Sequence, residues 1–180
     1  MDDHPETILR FDEVILRPWQ SSDGPALVEA CQDSEIARWV DIPQPYLPAD
    51  ADALIESSLT MWRMGTGAAF AIVAAATGRL LGAITRFGPD GHQATLGLWL
   101  VREARGRGVG TRALRLVTDW TFSTTSVVRV DCFIEVGNEP SMRMVERAGF
   151  QREGVLRAWD MRRNGVAVDC VVFSRLSNDS

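Results

Sequence analysis

The 180-residue chain contains no lysine: all nineteen of its basic residues are arginine. Schiff-base catalysis and the lysine of a phosphate-binding nucleotide loop are therefore excluded. Histidine is nearly absent too. His4 stands in the N-terminal tail and His92 in the turn-like run Gly88-Pro89-Asp90-Gly91-His92, so no multi-histidine metal site can be assembled. A Ser-His-Asp triad would have to rest on His92. The three cysteines, Cys31, Cys132 and Cys170, are far apart and form no CxxC pair, which predicts reduced thiols packed as small apolar groups. No apolar run approaches membrane-spanning length, and the acidic start Met1-Asp2-Asp3-His4-Pro5-Glu6 lacks the pattern of a signal peptide. A cytoplasmic protein with no membrane partner is expected.

What is present suits one globular domain over residues 1–180, with 46% hydrophobic and 24% charged residues and no repeat or long linker. The net charge of -5 is unevenly spread. Residues 1–60 carry 13 acids and 3 arginines, whereas residues 61–180 carry 11 acids and 16 arginines. The later part is suited to anions and the early part to cations. Nucleic acid is not an expected partner, because the chain is acidic overall and its arginines form no strip interleaved with aromatics.

Residues 8–18 read as a first strand, 22–33 as a helix begun by Ser and Asp caps, and 48–64 as a second helix closed by Gly65. The Pro-rich stretch 42–48 is the loop between these helices. Residues 69–75, 80–87 and 94–101 read as an antiparallel meander. From 109 to 122 the period changes: Val109, Ala113, Leu116, Val117 and Trp120 share one side of a helical wheel, with Thr111, Arg112, Arg115 and Asp119 opposite. A period-two strand over 128–136, a short helix over 140–148 stopped by Gly149, and a hairpin of 151–161 and 167–176 turned at Asn164-Gly165 complete the chain. Strand, helix, strand, helix implies one parallel step. The fold class is mixed α/β.

Residues 96–111, LGLWLVREARGRGVGT, are an apolar strand, a Gly-rich turn and a helix start. The first free N–H groups of such a helix point into the turn, its dipole adds positive charge there, and glycines let the backbone approach a phosphate. Arg105 and Arg107 can add charge-assisted bonds, so a pyrophosphate is the natural guest. The spacing Gly106-x-Gly108-x-Gly110 is not GxGxxG, and it follows a meander instead of opening the first strand–helix unit, so NAD or FAD is not expected.

Arg105-x-x-Gly108-x-Gly110 after an apolar strand resembles the acyl-CoA pyrophosphate motif of the GNAT superfamily of N-acyltransferases, and the order of elements resembles that family along nearly the whole chain. Asn138-x-x-Ser141, Glu146-Arg147-Ala148-Gly149-Phe150, Glu153-Gly154-Val155-Leu156-Arg157 and Asp169-Cys170-Val171-Val172-Phe173-Ser174-Arg175-Leu176 resemble its Rim-type branch, which acetylates N-terminal amines of ribosomal proteins. The resemblance implies acetyl-CoA as co-substrate and no metal. It places the backbone of Arg105, Gly106, Arg107, Gly108, Val109, Gly110 and Thr111 on the CoA pyrophosphate. Leu100 and Val101 line the pantetheine arm, and Asn138 bonds it. Asn138 also reads as an ordinary helix cap before Pro140.

Ser141 matches the branch's serine that protonates the departing thiolate; its other reading is a first-turn serine bonded to its own backbone. The wider superfamily more often uses a tyrosine four residues later, where this chain has Val145. Many relatives carry a glutamate on the strand before the CoA turn as base, where this chain has Thr95. Asp160 matches a carboxylate proposed as base in Rim-type enzymes, with Glu135 in reserve; Asp160 also reads as a solvated acid beside Arg162-Arg163. A weak base suits an α-amine, whose pKa of about 8 makes deprotonation near pH 7 roughly 3 kcal/mol easier than for a lysine side chain at about 10.4. Trp39, Tyr46 and Trp62, with Asp41, are the candidate acceptor wall, although large aromatics at helical spacing are more often core. The leading reading is an acetyl-CoA-dependent N-acetyltransferase acting on a protein or peptide N-terminus. The alternatives are acylation of a small-molecule amine, with succinyl or another acyl donor open, and a non-catalytic acyl-CoA-binding module. Relatives in the superfamily often form homodimers.

Overall fold

A tight turn at Asp12-Glu13 breaks the expected first strand into a hairpin of β1 (Leu9–Phe11) and β2 (Val14–Pro18), paired so that Phe11 faces Val14. Asp12 takes φ 45°, a left-handed conformation that aspartate tolerates better than most residues. The computed structural model describes residues 7–88 and 91–179; His4 and the Pro89-Asp90 centre of the predicted turn lie outside them.

The expected helix over 22–33 is also divided. A 3₁₀ turn, Ser21–Asp23, leads into α1 (Gly24–Ala30), and a separate α2 (Ser34–Trp39) follows. Asp33 does not close the first helix but starts the second, its carboxylate accepting the Glu35 N–H at 2.9 Å. Three helices therefore precede the meander, the third being α3 (Pro48–Arg63) with proline in its first turn.

Strands β3 (Gly67–Ala74), β4 (Leu80–Phe87) and β5 (Gln93–Leu100) form the meander. Then come α4 (Val109–Thr124), β6 (Arg129–Glu135), α5 (Glu139–Arg147) and the hairpin β7 (Gln151–Met161) and β8 (Ala167–Leu176). They build one eight-stranded sheet in the order β1-β2-β3-β4-β5-β6-β8-β7, in which β5–β6 is the parallel pair.

Each face of the sheet has its own core. Leu114 and Val117 of α4 and Val145 of α5 pack on Phe70, Ile72, Ile84, Leu96, Val130 and Phe173 on one face. Leu27 of α1 and Ala51 and Ile55 of α3 pack on Ala69, Ala71, Val73 and Ala83 on the other. The buried side of α4 is rotated from the expected one: Leu114, Thr118 and Thr121 are buried, while Leu116 and Trp120 are half-buried at its border. Thr121 hides its hydroxyl on this stripe by donating to Val117 O at 2.7 Å. Cys31, Cys132 and Cys170 are free and buried, as expected; burial alone pushes the Cys31 thiol up to about 11.

Candidate active site at the parting of β5 and β6

The parallel pairing of β5 with β6 runs only from Gln93–Arg129 to Thr95–Asp131. Beyond that point β5 stays with β4 as far as Leu100 opposite Gly82, and β6 stays with β8 as far as Glu135 opposite Cys170. The two strands diverge, and no further β5–β6 pair follows Thr95 and Asp131. Leu98 and Leu100 pack toward the α4 side, while Trp99 faces the other core.

The Gly-rich turn closes the end of this gap. After β5, a 3₁₀ turn, Arg102–Ala104, leads to Gly108, the N-cap of α4. Gly106 and Gly108 hold φ of 71° and 76°, so both are glycine for backbone reasons. Gly110 is glycine at a close approach: a Cβ there would lie 2.3 Å from Met144 Sδ of α5, so that methionine side chain would have to move aside. The first helical bond of this end is Arg112 N–H to Gly108 O at 3.1 Å, which leaves the N–H groups of Val109, Gly110 and Thr111 ahead of the intrahelical ladder. Arg107 is exposed, with a 3.4 Å contact to Glu103 O.

The expected anion-binding role of the Arg105 side chain meets a competing arrangement. Its guanidinium turns away from the open turn, donating to Asp33 Oδ2 at 2.7 Å and to Leu100 O at 3.0 Å. Asp33 is a functional candidate missing from the sequence reading, in which it only ended a helix; its partner stands 72 residues away, beyond the reach of any local spacing rule. Burial works to raise the Asp33 carboxyl pKa, but the Glu35 N–H bond and the charges of Arg105 and Arg102 outweigh it and hold it below its ordinary value.

At the start of α5, Asn138 is the N-cap, its Oδ1 accepting the Ser141 N–H at 3.3 Å. Ser141 is half-buried in the first turn of this helix. Thr111 ties the two helices together through a 3.5 Å contact to Met144 O.

The C-terminal hairpin extends the sheet beyond β6, β8 pairing with it edge to edge. A bulge between Leu156 and Asp160, with Ala158 at φ 50°, lets Trp159 stack on Phe133 at 4.8 Å. Burial chiefly, and then the charges of Asp160, Glu135 and Asp169, push the Cys170 thiol up. Glu135 is paired with Arg162. Asp160 is exposed, accepting its neighbour Met161 N–H at 2.8 Å. Thr95, at the last β5–β6 pair, faces Asp131, which is buried and 2.7 Å from Arg129; the same Arg129 holds Glu153 at 2.6 Å.

The acceptor wall does not assemble as expected. Tyr46 is 3% exposed in the core beneath α1 and α3, its hydroxyl donating to Asp50 O at 3.3 Å. Trp62 is half-buried against the other core, forming a three-ring cluster with Phe70 and Trp120 at 5.1 and 5.9 Å and donating its indole N–H to Ala69 O at 2.9 Å. Both aromatics follow the commoner fate of a large ring at helical spacing. Trp39 remains half-buried at the end of α2, under the Arg38 guanidinium, and Asp41 accepts the Arg163 N–H of the β7–β8 turn at 3.0 Å.

Among the described residues no group of three or more His, Cys, Asp or Glu could hold a metal ion, and no helix is long and apolar enough to cross a membrane. A family profile described as an acetyltransferase (GNAT) domain matches residues 13–151. The chain is 26% identical over 169 residues to the uncharacterised N-acetyltransferase YoaA of Bacillus subtilis, covering 93% of this chain and 95% of YoaA. Its fold matches a ribosomal-protein-S5-alanine acetyltransferase from Vibrio fischeri with a TM-score of 0.84 at 20% identity, over 97% of this chain and 98% of that one. It also matches RimL, a ribosomal L7/L12 α-N-protein acetyltransferase in complex with coenzyme A, with a TM-score of 0.85 at 18% identity, over 97% of this chain and all of that one. With the profile spanning β2, the meander, the glycine turn and α5, the chain belongs to the GNAT family of acetyltransferases.

Proposed function

We propose that this acetyltransferase uses acetyl-CoA to acetylate the α-amine of a protein or peptide. The observation that carries the reading is the parting of β5 and β6 after Thr95 and Asp131, just ahead of a glycine turn that starts α4. That turn fits a pyrophosphate: a Cβ at Gly106 would meet nothing within 4 Å, and the N–H groups of Val109, Gly110 and Thr111 precede the helix's own ladder. In this reading the backbone of 105–111 holds the pyrophosphate, with Arg107 as the exposed cation. Leu100 and Val101 line the pantetheine arm. Asn138 keeps Oδ1 on the Ser141 N–H and offers its amide N–H₂ to the arm.

The amine nitrogen attacks the thioester carbonyl, a C–N bond forms and the C–S bond breaks. Backbone N–H groups of β5 that have lost their β6 partner polarise the carbonyl, Ser141 gives its proton to the departing thiolate, and Asp160 takes the amine proton. Asp160 is preferred to Glu135 because Arg162 already occupies the latter. Exposed Asp160 suits a cationic acceptor, and an α-ammonium, being more acidic than a lysine ammonium, needs only a weak base. RimL, described as an α-N-protein acetyltransferase, supports this acceptor class.

Calorimetry with acetyl-CoA, succinyl-CoA and CoA, repeated on Gly108→Glu, tests the reading. Micromolar binding weakened about 100-fold or more by bulk and negative charge in the turn is expected, followed by thiol release fastest with peptides bearing a free N-terminus. Absence of binding in the wild type overturns the reading. Release only with small amines moves the acceptor to that class, and binding without turnover on any amine leaves a non-catalytic module.

A further inference from the structure

We propose that Asp33 is a positioning residue for the co-substrate turn, acting through Arg105; this rests on the acyl-CoA reading of that turn. The Asp33 carboxylate does two things at once. Oδ1 caps α2 by accepting the Glu35 N–H at 2.9 Å, and Oδ2 accepts Arg105 Nη2 at 2.7 Å. Arg105 in turn donates Nε to Leu100 O at 3.0 Å, the last residue of β5, so its guanidinium joins the end of the strand to the start of the glycine turn. The Asp33 side chain is 14% exposed and that of Arg105 33%, so the pair is poorly screened by solvent; Arg102 adds a second cation 3.8 Å from Oδ1.

The physical need for such a brace lies in the turn itself. Its backbone N–H groups bind an anion only if they converge, and Gly106 and Gly108 make this the stretch with the widest conformational freedom in the neighbourhood. Convergence must be imposed from outside the turn. Arg105 is the residue that enters it, and without a charged acceptor this long side chain loses its orientation and the entry loses its anchor to β5. A carboxylate fixed by a helix cap is a rigid acceptor, because its own rotamer is set by Glu35 N–H. The side chain of Arg105 thus organises the backbone site in place of contacting the phosphate.

Asparagine caps a helix as well as aspartate does, so Asp33→Asn removes the charge while keeping the cap on α2. Steady-state kinetics and CoA calorimetry on Asp33→Asn, Arg105→Met and the double variant form the test. Each single change is expected to raise KM for acetyl-CoA and weaken CoA binding about tenfold with kcat within about twofold, and the double variant to be no worse than either, as for two residues acting as one unit. A purely structural role would lower kcat and thermal stability together and leave KM in place. Unchanged CoA binding in Asp33→Asn, or additive losses in the double variant, overturns the positioning role while the turn reading stands. Failure of the wild type to bind CoA removes both.

Discussion

The two sides of the candidate site are built differently. The donor side is backbone: a strand end, two glycines in left-handed conformation and the first turn of a helix, all within residues 96–111. The acceptor side, in the proposed function, would be side chains from distant segments: Trp39 and Asp41 from the α2 region, Phe133 and Glu135 from β6, Trp159, Asp160 and Arg163 from the hairpin. A site made of consecutive backbone can be recognised from spacing, because the bonds between neighbours carry the geometry. A site made of converging side chains depends on the sheet order, and residues with the right chemistry are drawn into cores before they reach it.

The largest test of that division is Trp62→Ala. As a half-buried ring packed on Phe70 and Trp120 it is expected to lose about 3 kcal/mol of stability by denaturant unfolding, the low end for a buried aromatic. Wild-type stability with a raised acceptor KM would return Trp62 to the acceptor wall. Next in size, Ser141→Ala is expected to lower kcat about 100-fold across the pH profile with the acetyl-CoA KM little changed; full kcat would reduce Ser141 to a first-turn residue of α5. The smallest effect concerns the pair between Arg129 of β6 and Glu153 of β7. Arg129 and the Ser174 hydroxyl hold the Glu153 carboxyl at about 2, against 4.5 ordinarily. A depressed acid stabilises the fold above its unfolded value and loses that contribution as pH falls toward the folded one. The Tm gap between wild type and Glu153→Gln should therefore be constant above about pH 5 and close between pH 4.5 and 2.

The hairpin of Gln151–Met161 and Ala167–Leu176 and the strand Leu80–Phe87 are legible in the sequence to the residue, because alternation and turn residues bound them directly. The first strand and first helix are not. Asp12 needed the pairing of Phe11 with Val14 to become a turn, and Asp33 caps a second helix through Glu35 N–H instead of closing the first. On α4 the polarity stripe located the helix, but the sheet beneath chose which side to bury, exchanging Trp120 for Leu114 and Thr121.

By itself, then, the chain's order of residues determined the α/β class, the glycine turn and its place after an apolar strand, since each depends on local conformational preference and short-range periodicity. Tertiary structure alone decided that β5 and β6 part after Thr95 and Asp131, that Tyr46 is core and Trp62 packs against the other core, and that Asp33 clasps Arg105. Those outcomes are contacts between segments tens of residues apart, where the free energy of burial and ion pairing is set by what the other segment presents.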